Sequence, residues 1–334
     1  VRIVCNYSGN IYGFDKLANF YTMDILGETA TIVPLINNCF LVKFCLVPKG
    51  FRDEYILVLT ENDELRLIDD RMKLVSSLQL ENIKHMVANT SYPFVCVCNT
   101  TGEVYFISFD KPVEPVILQK LELNKDKAMI TKIRMQDHTV LAHDSRNGFY
   151  IIYAHFLKSD FYVVATLERE KDPKIHVSNL YMIEENRAVV CYTTETSEYL
   201  EIITHLWILK WIKYHVEKKG INLPHTYRRI TKGYLINRSI IDFYAVRAND
   251  NIIDIFTLNT NDVLTLTSTI RTSHCCDILG ITGQKHLISW AMDGAMIQFQ
   301  THRKSTIPYS YTRYLSNNFM LSTIAEAQLC FAEK

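Results

Sequence analysis

Glycine is scarce in this sequence, at 11 of 334 residues. No GxxxxGKS or GxGxxG run occurs among them, which speaks against a nucleotide-binding enzyme built on a phosphate-cradling loop. The GxSxG elbow and the HExxH helix are also missing, and with them the common hydrolase signatures. Excess charge of either sign is lacking, because Lys plus Arg and Asp plus Glu stand at 36 each. No global field therefore steers the chain toward nucleic acid or an acidic membrane, and a charged partner must be recognised locally. Long apolar runs are absent too. The stretch LWILKWI, from Leu206 to Ile212, is far too short to span a bilayer. The first residues show no charged-then-apolar signal pattern. Val1 already lies in a strand-like run, so the sequence is read as an excerpt of a longer protein.

What is present is an ordinary globular composition, 48% apolar over 38.8 kDa, with no sign of disorder. That size exceeds the usual single core, so the expectation is two domains or one large all-β or α/β unit. The nine cysteines are odd in number and sit mostly in apolar, strand-like surroundings. Reduced, buried thiols in an intracellular protein fit this better than a disulfide framework.

The clearest local signal is a hairpin, HLISWA then AMIQFQ, hinged on Asp293-Gly294. Glycine supplies the positive φ of a tight turn, and apolar residues on nearly every position of both strands mean that both faces are covered. The pattern recurs. With the end of the second strand as marker, copies fall at Phe14, Ile68, Ile107, Tyr153, Ile203, Phe256 and Phe299. Their turns are Ser8-Gly9, Asn62-Asp63, Thr101-Gly102, Asn147-Gly148, Ser197-Glu198, Asp250-Asn251 and Asp293-Gly294. Seven repeats of about 40 to 50 residues, each with several short strands, point to a seven-bladed β-propeller. Segments 73–80, 116–123 and 161–168 read as outer strands. A doubly wound α/β fold would need a helix between strands, and nearly every connection lacks one. The stretch from His205 to Lys219 reads either as a helix with Trp207, Trp211 and Tyr214 on one side or as an outer strand followed by a long loop. The propeller is placed over 1–304. The tail, 305–334, is expected to pair with the N-terminal hairpin or to lead into a following domain.

The run LISWAMDGAMIQF resembles the WD-repeat pattern, with Asp293 and Gly294 at the turn and Phe299 where that family usually has Trp. Asp15 and Asp69 match the acidic residue that often follows. Only one repeat keeps an intact Asp-Gly and no marker is Trp, so the resemblance is to a divergent WD40-like propeller. The order of TTGEVYFISF, KPVEPVILQKLEL, NGFYIIY and FYVVATLE is similar to propellers of large cilia- and flagella-associated WD-repeat proteins. That resemblance implies a cytoplasmic, axonemal scaffold that tethers or regulates dynein, with dynein or tubulin-associated subunits as partners. The alternatives are a propeller adaptor of a ubiquitin-ligase, coat or kinetochore complex, or a propeller with an enzymatic or ligand site in its channel.

Candidate chemistry is thin. No catalytic residue, cofactor or metal site is assigned. Cys96 and Cys98 share one strand face, and His274, Cys275 and Cys276 are adjacent, but neither group has paired CxxC spacing, so inert thiols are the reading. His138 and His143 are expected to bond within a blade. The partner-binding candidates lie in a basic, aromatic-bearing insert near 205–235: Lys210, Trp211, Lys213, Lys218, Lys219, Arg228, Arg229 and Lys232, with Tyr214, Tyr227 and Tyr234 interleaved. Such a loop on a rigid scaffold suits an acidic protein tail, and nucleic acid is disfavoured by the neutral whole chain.

Overall fold

The computed structural model describes residues 2–5, 10–14, 19–24, 30–34, 41–49, 54–69, 71, 73–89, 91–123, 126–155, 160–167, 176–184, 186–193, 198–207, 214–237, 240–271, 276–281, 286–291, 295–300 and 311–314. Within them the chain forms seven four-stranded antiparallel sheets and no helix. The first sheet holds β1 (Arg2–Cys5), β2 (Asn10–Phe14), β3 (Asn19–Asp24) and β4 (Ala30–Pro34). The second holds β5 (Leu41–Pro48), β6 (Glu54–Thr60), β7 (Glu64–Ile68) and β8 (Leu74–Gln79). The third holds β9 (Ile83–Ala88), β10 (Phe94–Asn99), β11 (Glu103–Ser108) and β12 (Val116–Glu122). The fourth holds β13 (Ile130–Gln136), β14 (Thr139–Asp144), β15 (Phe149–His155) and β16 (Asp160–Leu167). The fifth holds β17 (His176–Glu184), β18 (Arg187–Thr193), β19 (Glu198–Trp207) and β20 (Tyr214–Asn222). The sixth holds β21 (Tyr227–Asn237), β22 (Ile240–Arg247), β23 (Ile252–Leu258) and β24 (Leu264–Arg271). The seventh holds β25 (Cys276–Ile281), β26 (His286–Ala291), β27 (Ala295–Gln300) and β28 (Tyr311–Tyr314). In every sheet the strands are paired in chain order.

The described chain divides into two compact units, one from 1–34, 191–201 and 219–333, the other from 35–190 and 202–218. In the second unit the first strands of successive sheets are neighbours: β5 beside β9, β9 beside β13, β13 beside β17. In the first unit β21 lies beside β25, and β25 beside β1.

The second strands of the third and fourth sheets, β10 and β14, are buried along their whole length. FVCVCN is apolar at all but its last position, and TVLAHD has an apolar centre with buried polar ends, because side chains on both faces meet neighbouring sheets. Cys96, Cys98 and Phe106 of the third sheet share one core with Ile133, Val140, Ile152 and Phe161 of the fourth. Fourth strands have one open edge, and β8, β12 and β24 accordingly are mostly exposed or half-buried, with Ser76 of β8 their one buried position.

Four hairpin turns use one device. The strand-end residues Thr60, Asn99, Asp144 and Asn259 each accept, on a side-chain oxygen, the N–H of the residue four further on. Three of them, Asn99, Asp144 and Asn259, also accept the N–H two residues on. The residue three further on takes a left-handed backbone: Asp63, Gly102, Asn147 and Asp262, with φ of 59°, 80°, 66° and 57°. This is a three-residue loop closed by a bulge, and short polar side chains tolerate its positive φ.

Gly148 is needed for a different reason. A Cβ there would lie 2.9 Å from Asp144 Oδ2 and 3.0 Å from Tyr150 Oη, on either side of the buried 2.7 Å bond that Tyr150 donates to Asp144. Gly148→Ala is therefore expected to destabilise by about 1–3 kcal/mol, the usual range for overpacking. Denaturant unfolding checks this, and an unchanged midpoint would mean that the Asp144–Tyr150 pair has room to move.

One expectation about the repeat markers needs correction. The marker residues Ile68, Ile107, Tyr153, Ile203, Phe256 and Phe299 all fall on third strands, but Phe14 ends the second strand of its sheet. The first sheet is thus complete by Pro34, with two short strands, β3 and β4, in the long interval that follows Phe14. Of the tail, Tyr311–Tyr314 pairs with β27, Ala295 opposite Tyr314, and its other residues lie outside the described ones. The Asp293-Gly294 turn lies outside the described residues, while its flanking strands pair as read, Trp290 opposite Met296.

Candidate interaction surface

The basic stretch is not one projecting loop. Strands take up 198–207, 214–222 and 227–237, so the helical option for 205–219 is set aside where the structure describes it. Lys210, Trp211 and Lys213 lie outside the described residues. Lys218 is on β20 and Arg228 on β21, where the backbone alone is described. Lys219 is exposed, and its Nζ donates to the Asn261 carbonyl at 3.2 Å. Arg229 and Lys232 are half-buried on β21. The strand register shifts between Tyr227 and Arg229, so the two adjacent arginines sit at a bulge. The described turn that joins β20 to β21 is short, and Pro224, His225 and Thr226 are its exposed residues.

Tyr227, read from sequence as an exposed aromatic anchor, is fully buried instead. Its hydroxyl donates to Asp254 Oδ2 at 2.8 Å, and its ring meets Phe256 edge-on with centroids 5.9 Å apart. A buried phenol needs a partner for its O–H, and Asp254 supplies it. Tyr227 is thus an internal tether of the sixth sheet.

The histidines bond locally as expected. His143 Nδ1 lies 2.6 Å from Thr131 Oγ1 and Nε2 3.3 Å from Asn147 Oδ1, which ties β14 to β13 and to its own turn. His138 Nδ1 lies 3.1 Å from the Ala154 carbonyl. Cys96 and Cys98 are fully buried, and burial followed by the Cys98 neighbour pushes the Cys96 thiol well up, so it stays protonated and unreactive. Cys45, Cys96, Cys98 and Cys191 are buried thiols. Among the described residues no three His, Cys, Asp or Glu side chains group as metal ligands. His274 and Cys275 lie outside those residues.

Sequence reasoning missed an apolar patch. Val116 and Ile117 are 48% and 42% exposed at the start of β12, the edge strand of the third sheet, and Val113 in the turn just before it is 78% exposed. The signal was the Val-Ile pair of VILQKLE, which puts apolar side chains on both faces of a strand with an open edge. The rest of β12 is guarded. Lys120 pairs with Glu103 at 2.6 Å, and the same carboxylate accepts from Tyr105 and Asn99. The bond from Lys120 is the main reason that the Glu103 carboxyl is held below its usual range. Such charges blunt an edge against unwanted strand pairing, whereas Val116 and Ile117, which follow the exposed Glu114 and the half-buried Pro115, present an exposed apolar pair on the edge strand.

No family model and no curated protein matches the sequence. Solved structures do match. The chain is similar to a chain in the crystal structure of the mitotic checkpoint complex, with a TM-score of 0.63, 9% identity, and coverage of 90% of this chain and 86% of that one. It is also similar to the Cps50 (Swd1) β-propeller domain of Myceliophteria thermophila, with a TM-score of 0.60, 10% identity, and coverage of 90% and 96%. A third likeness is to the Nup133 β-propeller domain of Vanderwaltozyma polyspora, with a TM-score of 0.54, 10% identity, and coverage of 87% and 88%. At these identities the likeness shows the fold, an all-β, WD40-like β-propeller.

Proposed function

We propose that this propeller is a non-catalytic interaction platform within a large protein complex. The observation that carries the reading is the exposed apolar end of β12, set on a sheet whose interior is rigidly packed. Buried strands hold their shape while edges and loops carry specificity. The likeness to a chain of the mitotic checkpoint complex supports a place in a multiprotein assembly. The finer reading is a cytoplasmic, axonemal assembly with dynein or tubulin-associated partners. Its support is the resemblance of the repeat order to cilia-associated propellers. An acidic tail of such a partner would engage the basic stretch from Lys210 to Lys232, of which Lys219 is exposed.

The test is the size of the native complex in extracts of cells that express the tagged full chain. The wild type should elute far above its own mass. The triple substitution Val113→Asp, Val116→Asp, Ile117→Asp should shift it toward free protein, with a stability change within about 0.5 kcal/mol, as for surface positions. A wild type that elutes at its own mass would overturn the platform reading. Tagged protein in ciliated cells that stays with the axoneme after detergent supports the finer reading, and one that washes out removes it.

A further inference from the structure

The outer edge of β16 carries a backbone rung that the fold has already paired once. Ala154 of β15 lies opposite Phe161 of β16. Both backbone groups of Ala154 are engaged on its other side, toward β14: its N–H donates to the His138 carbonyl at 2.7 Å, and its carbonyl accepts from His138 Nδ1 at 3.1 Å. In an antiparallel ladder opposite residues exchange both bonds or neither. Ala154 and Phe161 exchange neither, so Phe161 turns its N–H and its carbonyl away from β15. The Gln119 side chain of β12 meets both of these groups there, accepting from the N–H at Oε1 and donating to the carbonyl from Nε2, each at 3.0 Å. A primary amide in that position stands where a peptide group of a fifth strand would.

The next rung is Val163. Backbone direction alternates along a strand, and the register is regular from Asp160 to Val163, which lies opposite Ile152. Val163 therefore turns its own N–H and carbonyl outward as well. β16 is the last strand of the fourth sheet, and no described strand pairs with its outer edge. Side chains two apart share a face, so Val163 projects on the same face as Phe161, toward the third sheet. Phe161 is 1% exposed beneath Phe106, whereas Val163 is 37% exposed. The two sheets thus close over Phe161 and part at Val163. The edge there offers one donor, one acceptor and an apolar side chain, and from Phe161 to Leu167 the strand carries no charge.

We propose that the edge of β16 at Val163 takes up an extended, uncharged segment of a partner protein as a fifth strand, with the Gln119 amide marking where the added strand stops. The inference rests on the platform reading and gives the form of the partner's contact. Main-chain bonds would supply the affinity, and an apolar side chain against Val163 the selectivity. The Gln119 amide argues for a polypeptide as occupant, because the rung beside Val163 already holds the same chemical group. A single extended chain fits better than a second copy. β12 lies alongside β16, so a second copy would have to bring a whole four-stranded sheet into the space between them.

The probe is a capped hexapeptide, Lys-Thr-Val-Thr-Val-Lys, added to the purified full chain, with amide hydrogen exchange as the readout. The Val163 N–H should exchange fast in the free protein and slow by about tenfold or more at saturating peptide, while the Phe161 N–H, held by Gln119, is slow throughout. The same peptide N-methylated at its four internal residues keeps its side chains but loses its donors, and it should bind about tenfold or more weaker. Val163→Pro removes the outward N–H, a change that edge strands tolerate, so it should keep the wild-type Tm and lose the peptide. The exchange measurement needs no variant and decides the matter even if Val163→Pro fails to fold. An unresponsive Val163, or an N-methylated peptide that binds equally well, would overturn the proposal. So would slowing at Val163 that follows protein concentration without peptide, which would make the edge a contact between two copies. A large native complex in extracts with an unresponsive Val163 removes this inference alone, and a wild type at its own mass with a responsive Val163 removes the platform reading alone.

Discussion

Arg247→Met should lower the unfolding free energy by about 3–5 kcal/mol, the cost of stripping the partner from a buried charge. Asp254 on β23 has no exposed surface, and its carboxylate collects four donors. Arg247 of β22 gives two, Nε to Oδ2 at 2.8 Å and Nη2 to Oδ1 at 3.1 Å. Tyr227 of β21 and Thr269 of β24 give the others, at 2.8 and 2.9 Å. One carboxylate therefore ties together all four strands of the sixth sheet. Without Arg247 the two hydroxyls remain, but they bring no charge to offset the desolvation of Asp254. Arg247→Lys should recover only part of the loss, since an ammonium cannot reproduce the two-pronged bond.

The same cluster sets an acid limit. Burial pushes the Asp254 carboxyl up, but the bonds from Arg247, Tyr227 and Thr269 outweigh it, and the net pKa is lowered. A lowered folded pKa means stability that is fully present above the ordinary aspartate value, about 4, and is lost as pH falls through the folded value. Wild-type stability should therefore fall more steeply below about pH 4 than that of Asp254→Asn, which has no such charge to lose. Parallel slopes in the two proteins would mean that Asp254 does not govern the acid transition.

Strands were legible in the sequence because buried antiparallel strands must be apolar and short, and that constraint repeats with every sheet. The outer strands near 73–80, 116–123 and 161–168 were found at β8, β12 and β16 for the same reason. Turn chemistry was legible only in part. Glycine drew the eye to Gly102 and Gly148, yet the left-handed residue of the latter turn is Asn147, and the bonds are organised by Asn99 and Asp144 at the strand ends. A polar residue at the end of an apolar strand, four or five positions before the next strand, was the better signal. The basic stretch was misread as a loop because charge was taken as a mark of exposure. On β21 the residues Tyr227, Arg229, Ile230 and Lys232 share a strand in which the tyrosine and isoleucine are buried and the cations half-buried. The Lys43–His85 contact could not be seen at all, since its residues are 42 apart and meet only when β5 and β9 become neighbours.

The second large effect concerns the stacking of one sheet on the next. Phe106 of β11 and Phe161 of β16 are each 1% exposed, and their rings stack with centroids 4.2 Å apart and planes 19° apart. The Gln119 side chain of β12 fastens the same place. Its Nε2 donates to the Phe161 carbonyl and its Oε1 accepts from the Phe161 N–H, both at 3.0 Å. Phe106→Ala and Phe161→Ala should each cost about 3–5 kcal/mol, because a fully buried ring leaves a cavity that the two sheets close only in part.

The platform reading, with the exposed end of β12 on a packed third sheet, depends on consecutive four-stranded sheets stacked on one another. The double-mutant cycle across Phe106 and Phe161 measures that packing directly by denaturant unfolding. A coupling of about 0.5–1.5 kcal/mol, the value of a stacked aromatic pair, is expected. Losses that add to within about 0.3–0.5 kcal/mol would show that the two rings do not touch and that the third and fourth sheets are not stacked in this way.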